Sequence, residues 1–535
     1  MVDPFDRTQR GFSRRDVLRF SVAGTFALTS SGLLAACASG SPSANSGASA
    51  GPPQKGGTLT VGMITEGTGE SVDPWTFLGT TGYLRVINLY DTLVEFDDDL
   101  NVKPALAVSA EPSADFKTWT MKLRSGVTFH DGSPLTADDV VSNARAWADP
   151  KSWPYTGGGA AIDPKQIKKV DEHTVSIGLT EPHARFDRTL CFLAFSVKSR
   201  NEKKGKPLGT GPFKFVSFKA GSRSEFARFD DHWRSDPVYL DRLVVDSSFS
   251  DEDARTNALK SGQADLLPTV TFGLAKTIPT QTASILESPS GSYNNLYMAV
   301  DTAPFDDVNV RQAFRLLVDR QQMVDVTYAG FGKVSNDVPG RYTPWYDDSL
   351  VREADVDQAK FLLKKAGKEG LSVTLQTTSQ AGDSITNAAT LFEAQAKKAG
   401  VTVNLKKYDA ASFWGNYGKM TFSQTIYYPV YSMEEIWSNS FVADSYINET
   451  HWTKSPTFDL TKRLLLESKT TPTENDGKLT DIWTQLQKQQ FDEGGYINYG
   501  TYNFVDSVAT RVQGLTPNKY LYASGCNLRK AWIKS

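Results

Sequence analysis

The stretch FHDGSPLTADDV, Phe129 to Val140, puts a histidine beside an aspartate, then a glycine turn, then two more aspartates at the head of a run with helical spacing. Such residues could serve acid–base chemistry, with His130 as the base and a carboxylate to orient it. They also have ordinary folding work. Gly132 suits a turn, Thr136-x-x-Asp139 has the spacing of a capping box with Asp in place of Glu or Gln, and Asp138 lies near the positive helix end. Val140, Ala144 and Trp147 share one helical face. We read Val127 to Phe129 as a short strand, and His130, Asp131, Asp138 and Asp139 as a turn and a cap rather than a catalytic group.

Other chemistry finds little material. The chain contains no G-x-S-x-G elbow, no H-E-x-x-H, no G-x-x-x-x-G-K-[ST] loop and no complete G-x-G-x-x-G; Gly209-Thr210-Gly211-Pro212 reads as a turn into a strand. The five histidines, His130, His173, His183, His232 and His451, show no His-x-x-x-His spacing, so neither a metal nor a cofactor is expected. Cys191 and Cys526 suit either a disulfide or two buried thiols. An enzyme is not expected; a secreted hydrolase is the remote alternative. The formal charge of −3 argues against nucleic acid as a partner.

The elements that must position any site begin after a leader. SRRDVLRF (Ser13 to Phe20), a weakly apolar run and LLAAC ending at Cys37 follow the three-part logic of a signal peptide over 1–36. Arg14 and Arg15 point to twin-arginine export. LAAC is similar to the bacterial lipobox, in which the cysteine is lipidated and becomes the new N-terminus. Cleavage there would move the formal charge from −3 to −5. Ala38 to Lys55 is nearly all Ala, Ser, Gly and Pro, so 37–55 reads as a lipidated cysteine and flexible tether. The expected location is the extracytoplasmic face of a bacterial cell membrane, anchored through Cys37.

From Gly56 onward, strand and helix patterns alternate. Thr58 to Met63 is a strand. Gly82 to Phe96 reads as a helix with Leu84, Ile87, Tyr90 and Val94 on one face. Trp119, Met121 and Leu123 alternate as in a half-buried strand. Val310, Phe314 and Leu317 make a helical face from which Arg311 and Arg315 point away, Arg311 toward a neighbouring acid. Leu371 to Thr378, a helix ending near Lys397 to Gly400, and Val401 to Asp409 make a β-α-β unit with parallel strands.

Five segments carry a resemblance. RSGVTFHDGSPLTADDVVSNARAW (Arg124 to Trp147), PLGTGPFKF (Pro207 to Phe215) with DDHW (Asp230 to Trp233), ALKSGQADL (Ala258 to Leu266), APFDDVNVRQAFRLLVDRQQMV (Ala303 to Val324) and DQAKFLLKKAG (Asp357 to Gly367) occur in one order. Together they resemble the family-5 extracellular solute-binding proteins, the peptide-, nickel- and oligosaccharide-binding components of ABC importers. The resemblance implies an α/β, two-lobed periplasmic-binding-protein-like fold (type II, cluster C) with a small domain inserted in the first lobe. We expect the first lobe at 56–92, 200–290 and 496–535, the inserted domain at 93–199, and the second lobe at 291–495. It also implies a monomer that traps a solute by hinge closure and docks on ABC permease subunits.

An oligopeptide is the leading solute, with an oligosaccharide or other organic solute as the alternative. Peptide-binding relatives carry an Asp for the ligand's α-ammonium in a second-lobe segment comparable to Thr425–Phe441. That Asp is missing here, and Glu434 is the expected replacement. Trp414, Tyr427, Tyr428, Tyr431 and Trp437 could form a stacking platform. In the first lobe, Glu66, Gly67 and Thr68 follow the first strand and could meet a ligand through backbone groups.

Overall fold

The computed structural model describes residues 51–534 apart from 77–78, 152–160, 379–382, 427–431 and 442–447. Strand β1 (Thr58–Ile64) sends Leu59, Val61 and Met63 into one core. Its parallel partners are β10 (Arg242–Phe249) and β11 (Leu266–Leu267), so the intervening chain must cross over. β8 (Phe213–Lys219), β9 (Arg223–Arg228), β12 (Ala283–Ser288) and β19 (Phe504–Ala509) complete a seven-stranded sheet, ordered β12-β19-β11-β1-β10-β9-β8. This is the first lobe.

The second lobe is built on β13 (Tyr293–Met298), β14 (Gly332–Val334), β15 (Ser372–Thr378), β16 (Thr402–Tyr408), β17 (Phe422–Ile426) and β18 (Tyr496–Tyr502), ordered β14-β18-β13-β17-β15-β16. The expected β-α-β unit is present, with β15 and β16 parallel and the helix Asp383–Lys397 between them. Because β18 lies beside β13 and β14, residues 496–502 belong to the second lobe, and the chain returns to the first only after Tyr502. This corrects the boundary expected at 496. Nothing in the alternation of Tyr496–Tyr502 says which sheet it joins, since six of its seven residues are buried.

The chain between 93 and 199 forms a separate antiparallel sheet of β4 (Ala107–Pro112), β5 (Thr118–Leu123), β6 (Ile162–Asp171) and β7 (Thr174–Leu179), with the helix Ala137–Trp147 packed on it. The short hairpin of β2 (Val94–Phe96) and β3 (Val102–Pro104) leads into it. The helix expected over 82–96 spans Gly79–Leu89, and Val94 is in a strand instead. Asp91 sits where that helix would have continued, accepting hydrogen bonds from Thr210 Oγ1 (2.8 Å) and Trp233 Nε1 (2.9 Å).

The opening stretch is a joint. Asp139 Oδ2 reaches back to the Thr136 backbone N–H at 3.1 Å and its hydroxyl at 2.9 Å, Asp131 accepts from Ser133, and Asp138 pairs with Lys169. Val140, Ala144 and Trp147 are buried, as their spacing requires. The strand expected at 127–129 is reduced to one bridge, Thr128 to Pro134. His130 Nε2 donates to Gly211 O at 3.0 Å, and the His130 backbone N–H to Gly209 O. Gly209 and Gly211 in turn lie so close to Leu89 that a Cβ on either would fall within 2.6 Å of its main chain. Two segments that look independent in sequence therefore meet on the end of one helix.

His130 Nδ1 and both ring nitrogens of His232 are buried without a hydrogen-bond partner among the described residues. Desolvation pushes both imidazoles down to about 4, so the fold needs them neutral. An unfolded chain titrates them near 6.5, so their contribution is complete above that pH and is lost as pH falls toward 4. At 1.36 kcal/mol per unit, this is up to about 3 kcal/mol per histidine. Urea unfolding midpoints should drop between pH 7 and pH 4.5, and a His232→Gln variant should show a smaller drop.

Candidate functional site

The two sheets turn matching ends toward each other. In the first lobe the C-terminal ends of β1, β10, β11 and β12 share one edge: Ile64 is opposite Phe249, Leu267 opposite Ser507, and Ser288 opposite Phe504. In the second lobe, the ends of β15, β16 and β17 share the edge where β13 begins, with Thr378 opposite Tyr408 and Ile426 opposite Asn294. Crossovers at 289–292 and at Asn503 join these edges. The cleft thus lies outside the carboxyl ends of the parallel strands, where open α/β sheets place ligands.

On the first-lobe side, Glu66, Gly67 and Thr68 do lie on this edge, but not as expected. The Glu66 backbone N–H donates to Glu70 Oε1 and the Gly67 N–H to Thr65 Oγ1, both at 3.1 Å, so these two donors are already engaged. Neither of these two N–H groups is therefore open to a ligand. The Glu66 carboxylate instead receives Thr80 Oγ1, the Thr81 N–H and Thr81 Oγ1, capping the helix Gly79–Leu89. Desolvation raises its pKa against those hydrogen bonds. Gly79 is required beneath it, since a Cβ there would sit 2.4 Å from the carboxylate. Thr68 is exposed. The loop is held from behind by Glu70, whose Oε2 accepts from Arg85 Nη2 (2.7 Å) and Ser247 Oγ (2.8 Å) in a fully buried pair.

On the second-lobe side, Trp414 stands in the helix Ala410–Asn416 directly after β16, 39% exposed, with its ring 5.0 Å from that of Tyr417. Trp437 does not join it. Its indole is wholly buried against Phe441 and Trp483 and donates to Met433 Sδ, so it is core and offers no stacking face. Tyr427, Tyr428 and Tyr431 lie outside the described residues. Glu434 is buried in an ion pair with Arg185 of the inserted domain. Desolvation opposes its ionisation, but Arg185 and His183 hold its pKa below the usual value. Its charge is thus already matched within the chain, which corrects its assignment as the acid that meets a ligand ammonium. Glu435 accepts no hydrogen bond from any described residue, and desolvation pushes it up to about 8. Its field reaches Tyr520 of the first lobe.

A cavity of about 330 Å³ opens in the same seam, between Asp99 and the second-lobe loop Arg341–Asp348. Tyr342 and Trp345 hold positive φ angles of 71° and 66° there, a conformation that bulky residues rarely adopt. No motif flagged this loop. Arg185, Trp345 and Glu434 converge on it from positions far apart in the chain, and only the packed structure brings them together. Arg311 and Arg315 lie outside the cleft. Arg311 donates to the main-chain oxygens of Phe305 and Glu493, and Arg315 to those of Phe491 and Gly494, rather than to the expected acid. Cys191 and Cys526 are both free and buried. Among the described residues no group of three His, Cys, Asp or Glu could hold a metal ion, and no helix is long and apolar enough to cross a membrane.

A two-lobed α/β body with an inserted domain and an open-sheet cleft is the architecture of a solute receptor, and the sequence relationships agree. Residues 101–448 match the bacterial extracellular solute-binding proteins, family 5, and the chain belongs to that family. It is similar to the dipeptide-binding protein of Pseudomonas aeruginosa, 30% identical over 397 residues that cover 67% of this chain and 73% of the relative. It is also 32% identical over 324 residues to heme-binding protein A of Haemophilus influenzae, covering 54% and 58% of the two chains. The fold matches the ABC transporter substrate-binding protein CtaP of Listeria monocytogenes, with a TM-score of 0.79 at 22% identity over 90% of this chain and all of that one.

Because Glu70 and Arg85 have no access to water, removing either partner strands a buried charge. An Arg85→Met variant should lose about 3–5 kcal/mol in urea unfolding. A Glu66→Gln variant, which keeps an acceptor for the helix cap, should lose much less.

Proposed function

We propose that this protein is the solute-receiving component of an ABC importer, with a peptide as its solute. The carrying observation is the cleft between two sheets linked by two crossovers, in a chain of the family-5 type whose relatives include a dipeptide-binding protein. Closure around the solute needs no covalent chemistry, and affinity follows from contacts made only in the closed arrangement. A twin-arginine leader and lipidation at Cys37 would keep this body at the outer face of the cell membrane, where it would hand its solute to a permease as a monomer. Residues 1–50, which carry these signals, lie outside the described residues. Native mass spectrometry of protein purified without refolding should release a set of masses built from amino-acid residues. A single non-peptide mass would overturn the peptide reading.

The second reading, another organic solute such as an oligosaccharide, is supported by the neutralisation of Glu434 and by the exposed Trp414 ring. In the peptide reading, Glu435 replaces Glu434 as the acid for an ammonium group, while Trp414, Thr68 and the segment of Tyr427, Tyr428 and Tyr431 remain candidate contacts. A carboxyl titrating near 8 is mostly protonated at pH 7, and pairing with an ammonium group favours its ionised form. Calorimetry with a recovered peptide, in buffers of differing ionisation enthalpy at pH 7, should show release of about one proton. A Glu435→Gln variant should lose that release and bind more weakly.

A further inference from the structure

Arg185 starts the helix Phe186–Leu190 in the inserted domain, yet its side chain is lodged in the second lobe. The side chain is 2% exposed. Nη2 donates to Glu434 Oε1 and, at 2.9 Å, to Ser468 O, while Nη1 donates to Thr471 O. Ser468 and Thr471 stand at the C-terminal end of the helix Phe458–Lys469, where the negative end of the helix dipole favours a cation. The guanidinium also lies 5.5 Å from the centre of the Trp345 ring, whose Nε1 donates to Asp476 at 2.6 Å. One residue earlier, the Ala184 N–H donates to Lys469 O at 2.7 Å. Every side-chain acceptor of Arg185 thus belongs to the opposite body, and its Nε has none among the described residues.

The inserted domain is joined to the first lobe through the chain at Leu93 and Val197 and through shared packing of Phe96, Phe192, Leu208 and Trp233. It therefore moves with the first lobe. The crossovers at 289–292 and Asn503 are the covalent links on the other side of the seam. Rotation about them must withdraw Arg185 from its socket and separate Glu434 from its counter-charge.

We propose that Arg185 is the bolt of a closure latch: its insertion among Glu434, Ser468 O, Thr471 O and Trp345 holds the inserted domain against the second lobe and sets how long a solute is retained. Arg185 is a positioning residue, acting on the solute through the closed population and not by touching it. The latch rests on the reading of the protein as a receptor that closes on its solute. Its geometry is the same for a peptide or any other solute.

The test is single-molecule energy transfer on the full chain without added solute, with dyes on azidophenylalanines placed at exposed Val170 and Val351. Arg185→Ala should raise the open population about tenfold, and Glu434→Gln should do the same, with the double variant no more open than either alone. Arg185→Lys, which keeps the charge but loses the fork, should fall between wild type and Arg185→Ala. Circular dichroism and unchanged hydrogen exchange in β5 and β13 verify that both bodies remain folded. An unchanged distance distribution in a folded Arg185→Ala protein, or additive effects of the two substitutions, would overturn the latch. So would faster opening that leaves the dissociation rate of the co-purified solute unaltered. None of these outcomes depends on whether that solute proves to be a peptide.

Discussion

The chain passes between its two sheets twice, at 289–292 and at Asn503, and the rest of the molecule is arranged around that constraint. β12 and β19 are adjacent antiparallel strands of one sheet, and their continuations β13 and β18 are adjacent antiparallel strands of the other. The two crossovers are therefore side by side. Two short links side by side allow the lobes to rotate but prevent them from drifting apart, so the strand ends on either side always face one another. A cleft between such edges needs no closure of its own in sequence, because the topology supplies it.

Rigid bodies are needed on both sides of such a hinge, and buried arginines help to make them rigid. Arg85 joins the Glu70 carboxylate to Ser224 and Ser247 across the first-lobe sheet. In the second lobe, Asp337 is shared by Arg320 and Arg352, while Arg311 and Arg315 satisfy main-chain oxygens at the C-terminal end of the helix Asp476–Glu493. Each of these groups sits within one body. Arg185 follows the same chemistry across two bodies, and this difference in placement turns a fastening into a contact that motion must break. A buried ion pair adds little net stability over an apolar contact, but it strongly penalises arrangements that separate its partners.

Much of the local structure was legible. The capping box at Thr136 and Asp139, the buried face of Val140, Ala144 and Trp147, and the parallel unit of β15 and β16 all follow from spacing, because they depend on neighbours within a few residues. The end of the first helix at Leu89 did not follow. Its apolar period continues to Val94, and the competing pull on Asp91 comes from Thr210 and Trp233, more than a hundred residues away. The site was less legible still. Trp437 and Trp414 look alike in sequence, yet one is core and the other faces solvent, because the helix Met433–Ser440 packs on Trp483 while the helix Ala410–Asn416 lies at a sheet edge.

The sequence by itself determined the family, several strands and helices such as β1 and the parallel unit of β15 and β16, and the motifs that make turns and caps, since these are set by local periodicity and by segments that occur in one order. Only the tertiary structure decided that β18 belongs to the second lobe, that Glu434 is spent on Arg185, and that Glu435 is desolvated without a described hydrogen-bond partner. Adjacent glutamates in one helical turn have the same local pattern. Which of them is neutralised depends on a guanidinium 249 residues away along the chain, and only packing brings it within reach.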